Sequence, residues 1–130
     1  MKLNKIHHIA LIVSDYEKSK HFYMEILGLQ ILNETFRAER NSYKLDLALD
    51  GVYIIELFSF PDYAQRPSYP EALGLRHLAF EVDDIEQASA ELQAKNIPTD
   101  PIRIDEITGR KFFFFSDPDG LPLELYEKSR

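Results

Sequence analysis

His8-Ile9-Ala10-Leu11-Ile12-Val13-Ser14-Asp15 returns at an offset of 69 (77 − 8) as His77-Leu78-Ala79-Phe80-Glu81-Val82-Asp83-Asp84. The same offset carries Asp50-Gly51 onto Asp119-Gly120. One residue is then lost, and Glu56 meets Glu124 at an offset of 68 (124 − 56). A common order of His, Asp-Gly and Glu in both halves marks an internal duplication, and a duplication decides how the rest of the chain is read.

Each half reads as strand, helix and three further strands. His8 to Val13 and His77 to Val82 are short and rich in branched apolar residues. Ser14-Asp15-Tyr16-Glu17 and Asp83-Asp84-Ile85-Glu86 fit helix starts, with Ser14 and Asp83 as the expected caps. Phe22, Ile26 and Leu27 give the first helix an apolar stripe; Ile85, Ala88 and Leu92 give the second. Gly28 and Asn96 tolerate the left-handed conformation that ends helices. The expected strands then run over 29–36, 43–50 and 52–60, and over 99–105, 111–116 and 121–126. Asp50-Gly51 is a tight hairpin signal, and Asp117-Pro118-Asp119-Gly120 is the matching turn. The expected fold is α+β: two βαβββ modules, 1–60 and 75–130, forming a curved mixed sheet. A connector over 61–74 with Pro61, Pro67 and Pro70 joins them into a single domain of 1–130.

Composition narrows the function. In 130 residues, 45% hydrophobic and 12% aromatic content suffices for a packed core, and the net charge of -7 disfavours nucleic acid, which needs a basic face. No cysteine is present, which removes thiolate nucleophiles and leaves His and carboxylates as metal donors. No segment approaches the roughly 20 apolar residues of a membrane span. The expectation is a cytoplasmic protein acting on a small molecule, with neither membrane nor nucleic acid as partner.

Strand periodicity places the chemistry. Successive side chains alternate between faces, so His8 and Ala10 share one face, as do His77 and Ala79. Glu56 falls on a face with Ile54 and Phe58, opposite Tyr53, Ile55 and Leu57; Glu124 falls with Tyr126. Glu56 interrupts an otherwise apolar strand, and a half-buried carboxylate needs a partner. A single His or Glu is most often a solvated or satisfied residue. Four of them at equivalent places in a repeat are better explained by one divalent cation, since imidazole nitrogen and carboxylate oxygen suit zinc, nickel, cobalt, manganese or iron. His7, next to His8 in a strand, is expected to point the opposite way. Phe112 to Phe115 reads as a doubly covered strand.

The segments His8-Ile9-Ala10-Leu11, Ile55-Glu56-Leu57, Arg76-His77-Leu78-Ala79-Phe80 and Asp117-Pro118-Asp119-Gly120-Leu121-Pro122-Leu123-Glu124-Leu125 resemble the vicinal oxygen chelate superfamily, whose best-known member is glyoxalase I. More narrowly they look like an uncharacterised bacterial glyoxalase-like subgroup. The resemblance implies a sheet cupped around a metal held by His8, Glu56, His77 and Glu124, and homodimers, some of which share sites between chains. It implies a lyase or isomerase in which the metal, as Lewis acid, stabilises an enediolate-type intermediate while a carboxylate moves the proton. Glu124 is the expected mobile carboxylate, with Glu56 the alternative. Glyoxalase I of the bacterial type carries a glutathione-contacting Arg four residues after its first His; Ile12 stands here, which argues against glutathione. Arg37 and Lys44 are the preferred anion contacts, and Phe58 and Tyr126 candidate pocket residues. Other superfamily activities remain open: an epimerase, a thiol transferase, a dioxygenase, or a non-enzymatic binding or resistance protein.

Overall fold

A computed structural model describes residues 1–129 and separates into two compact units, Met1–Gln65 and the segment from Arg66 on. The fold class is α+β, as the repeat requires. The first unit holds β1 (Ile9–Val13), α1 (Tyr16–His21), β2 (Gln30–Arg37), β3 (Ser42–Leu49) and β4 (Val52–Ser59). The second holds β5 (Leu78–Val82), α2 (Ile85–Ala94), β6 (Arg103–Ile104), β7 (Lys111–Ser116) and β8 (Pro122–Glu127). Each unit has one four-stranded sheet, ordered β1-β4-β3-β2 and β5-β8-β7-β6. In both, the first strand runs parallel to the last, and the remaining pairs are antiparallel.

The apolar face of each sheet makes its core. Leu11, Val13, Leu45, Leu47, Ile55 and Leu57 are buried in the first unit with Tyr16, Phe22 and Tyr23. Phe113, Phe115, Leu123 and Leu125 are buried in the second with Ile85 and Leu92 of α2. Truncating a fully buried leucine such as Leu57 to Ala costs about 2–5 kcal/mol in lost transfer energy and cavity.

The helix starts lie one residue later than expected. Asp15, not Ser14, accepts from the N–H of Lys18, and Asp84, not Asp83, accepts from Gln87. An aspartate in extended backbone reaches the third N–H of the turn from the position directly before the helix, so the second residue of each pair wins. The first helix also runs on as a π-helical turn over Phe22–Ile26, which buries Tyr23 beside Phe22. Asn96 ends α2 at φ 61, with Ile97 N–H bonding Leu92 O and Asn96 N–H bonding Gln93 O.

Two strand expectations are corrected. The expected strand over 99–105 reduces to Arg103–Ile104, because Pro101 has no N–H to give a ladder; Asp100 N–H alone reaches Phe114 O upstream. The run Phe112 to Phe115 is not covered on both sides within its unit. Phe113 and Phe115 are buried, whereas Phe112 and Phe114 are half-exposed.

The third correction concerns register. Asp50 and Gly51, at φ 50 and 78, make the expected two-residue turn. Leu47 pairs with Ile55 but Ala48 pairs with Tyr53, so Ile54 is an additional residue on β4. A bulge of this kind reverses the facing of everything on its far side. Tyr53 therefore joins the Glu56 face instead of opposing it. The β7–β8 ladder pairs Phe112–Ser116 with Tyr126–Pro122 without interruption. Ile54 is thus the residue by which the repeat slips from 69 to 68.

Candidate metal centre

The parallel strand pairs set two equivalent His–Glu pairs. Ala10 stands beside Glu56, and Ala79 beside Glu124. Each His lies two residues before its Ala and so faces the same way. His8 Nε2 is 4.0 Å from Glu56 Oε1, and His77 Nε2 is 3.0 Å from Glu124 Oε2. Both carboxylates are 12% exposed as side chains, against 36% and 34% for the imidazoles, so the acids sit deep and the histidines at the rim. Imidazole and carboxylate are donors that divalent transition ions accept. Each unit by itself supplies two, and among the described residues no group of three or more His, Asp or Glu is drawn together.

The surroundings of the two pairs differ. In the first unit the Tyr53 hydroxyl lies 2.8 Å from Asp46 Oδ1 and 2.9 Å from Glu56 Oε2, and donates to one of them at a time. Its ring stacks on His8, with centroids 5.0 Å apart. Burial, and then the bonds to both carboxylates, push the Tyr53 phenol far above its ordinary pKa, so it stays a donor. Lys44 Nζ lies 3.0 Å from both oxygens of Asp46 and 3.3 Å from Glu56 Oε2. Asp46 first, then Glu56, raises the Lys44 ammonium. The charge of Lys44 is therefore engaged within the unit by Asp46 and Glu56. Arg37 is engaged as well: its Nη2 donates to Ser42 Oγ, and the guanidinium lies over Phe58 at 4.8 Å. Phe58 shares the Glu56 face but is occupied by that stack.

His7 does not point away as expected. Strand β1 starts at Ile9, which His8 adjoins directly; His7 lies one residue further out, beyond the reach of its alternation, and its Nδ1 approaches His8 Nδ1 at 2.9 Å.

In the second unit, the Phe114 ring meets His77 edge-on at 5.0 Å. Tyr126 shares the Glu124 face, stacks on Phe112, and donates to Asp105 Oδ2 at 2.7 Å. A groove of about 510 Å³ is lined by His77, Arg76, Asp100, Arg103 and Phe114 among others. A second, of about 490 Å³, is lined by Glu124, Tyr126, Phe112 and Arg103. Four residues here escaped the sequence reading: Tyr53, Asp46, Arg103 and Phe114. The slip from 69 to 68 was the visible sign of the bulge that turns Tyr53. Arg103 had none, since the strand that carries it is two residues long.

The sequence model of the Glyoxalase/Bleomycin resistance protein/Dioxygenase superfamily matches residues 5–125. The chain belongs to this superfamily. It is 62% identical to the uncharacterised Bacillus subtilis protein YwkD, over 98% of this chain and all of that one. It is 57% identical to the uncharacterised Escherichia coli protein YaeR, over 97% of this chain and 98% of that one. Among solved structures, a glyoxalase family protein from Enterococcus faecalis is 51% identical, with a TM-score of 0.90 over 98% of this chain and all of that one. In this chain the two βαβββ units and the position of each His–Glu pair on its parallel strands are two copies of one arrangement.

Proposed function

We propose that His8, Glu56, His77 and Glu124 together hold one divalent metal ion, and that the protein is a glyoxalase I-like lyase or isomerase. Its substrate would be a small oxygenated molecule or thiol adduct. The observation that carries this reading is the register: Ala10 beside Glu56 and Ala79 beside Glu124, each with a His two residues back. Half of a four-donor set is made twice by the same geometry, and neither half suffices alone. When bound, the ion supplies Lewis acidity toward a substrate oxygen, which makes a neighbouring C–H easier to deprotonate.

The chain's own residues divide the remaining work. Glu56 is held by Tyr53 and Lys44, which suits a fixed donor. Among the described residues, Glu124 is paired only with His77, which suits a carboxylate that takes and returns a proton. Its side chain is 12% exposed, which limits the access of bulk water to that proton. The half-exposed rings of Phe112 and Phe114 give the substrate an apolar floor. Ile12, 59% exposed on the His8 face, offers no cation to a glutathione carboxylate, so a thiol partner is of another kind.

Support also comes from the Schizosaccharomyces pombe lactoylglutathione lyase, 28% identical over 99% of this chain, which spans 49% of that enzyme. In this reading residues 1–130 act as one domain, in a cytoplasmic homodimer. The test is to load chelator-stripped protein with nickel, zinc, cobalt or manganese and offer thiohemiacetals of a 2-oxoaldehyde made with several thiols. Metal-dependent thioester formation is expected, falling about 100-fold or more in Glu124→Gln. No conversion with any thiol, together with no binding of a hydroxamate chelator, contradicts it.

A further inference from the structure

One face of the second sheet carries a continuous row of chemistry. Glu124 on β8 stands opposite Phe114 on β7, and Arg103 on β6 stands opposite Phe112. The Phe114 ring takes His77 at 5.0 Å and the Arg103 guanidinium at 5.9 Å, and Phe112 takes the same guanidinium at 5.0 Å. His77, an aromatic floor and a cation therefore follow one another across the groove.

Several cations of the chain are paired with carboxylates, and Arg103 is not. Lys44 is paired with Asp46 and Glu56, Arg76 with Glu71, and Lys111 with Glu86. Arg103 has no carboxylate partner among the described residues, although Asp100 lines the same groove and Asp105 lies two residues on. Asp105 instead accepts from Tyr126 and from the N–H of Ile107. A guanidinium resting on ring faces is fixed in place, yet keeps its N–H edge for a planar two-oxygen acceptor.

We propose that Arg103 binds a carboxylate of the substrate. The substrate class is then a small oxygenated acid, with an oxygen pair at the His77–Glu124 end and a separate carboxylate on Arg103. β6 lies two strands from β8, about 10 Å at the usual spacing, so a few carbons join the two ends. This rests on the metal reading for the oxygen pair, and on Arg103 alone for the carboxylate.

Two probes share the oxygen pair and differ at the far end: 2-hydroxyglutarate carries a distal carboxylate, and 2-hydroxyvalerate does not. Metal-loaded protein is expected to bind 2-hydroxyglutarate tenfold or more tightly than 2-hydroxyvalerate. In Arg103→Met the preference disappears, while metal content and 2-hydroxyvalerate affinity stay as they were; Arg103→Lys keeps part of it. Absence of a preference in the native protein, or its survival in Arg103→Met, overturns the proposal. Glutarate titrated into metal-stripped protein, followed by NMR, separates the two readings. Arg103-dependent shifts at Phe112 and Phe114 are expected even where the metal site fails, and their absence counts against Arg103.

Discussion

The Tyr53 hydroxyl lies between two carboxylates, 2.9 Å from Glu56 Oε2 and 2.8 Å from Asp46 Oδ1. A phenol has one proton, so it serves one acceptor at a time, and Lys44 Nζ, within 3.3 Å of both residues, balances the other. Outer partners of this kind orient a metal-binding carboxylate. Tyr53→Phe is expected to weaken metal affinity by about 10–100-fold, measured by competition with a chromophoric chelator. Tyr126→Phe, whose hydroxyl serves Asp105 and Thr108 instead, leaves the affinity within about threefold on that account.

The turn that aims Glu124 is fixed by a side chain. Asp117 is buried, and its Oδ1 accepts from the N–H groups of Asp119 and Leu121, each at 2.9 Å. Asp117→Ala leaves these donors without that acceptor and is expected to lower unfolding free energy by about 1–3 kcal/mol in denaturant titration. Gly120 sits at φ 81; Gly120→Ala is strained there and costs about 1–2 kcal/mol.

Acid stability has a legible contributor away from the candidate centre, at Glu34. Glu34 accepts from Lys20 at 2.7 Å and from Tyr16, and these bonds, Lys20 first, hold its carboxyl below the usual carboxylate value. A depressed folded pKa means stability that is present above the unfolded value of about 4.3 and is lost as pH falls through the folded one. Glu34 is 36% exposed as a side chain, so solvent screening limits the term to about 1 kcal/mol or less. Glu34→Gln is expected to flatten the stability curve below about pH 4 and to lower the plateau above it slightly. An unchanged acid limb would remove Glu34 from the account.

Much of this was legible in the sequence. The duplication placed β1 and β5, both tight turns and both His–Glu pairs, because strands of five or more residues with strict alternation declare their faces. The failures have local causes. Tyr53 was assigned to the wrong face because alternation says nothing of an extra residue, and only the one-residue slip between repeats recorded Ile54. His7 was misplaced because it lies a residue further from the strand than His8, where alternation no longer holds. The partners of Arg37 and Lys44, Ser42 in one case and Asp46 and Glu56 in the other, were not legible because pairing across strands depends on exact register. Arg103 was missed because Pro101 cuts its strand to two residues.

The most direct test of the central claim is metal content by elemental analysis, after exchange into a single divalent ion, for the native protein and for His8→Ala, Glu56→Ala, His77→Ala and Glu124→Ala. Four residues holding one ion predict one metal per chain in the native protein, with a comparable loss of affinity from a variant in either half of the repeat. Metal that persists when one whole pair is removed, or a native protein that takes up none, would contradict a single centre built from both halves.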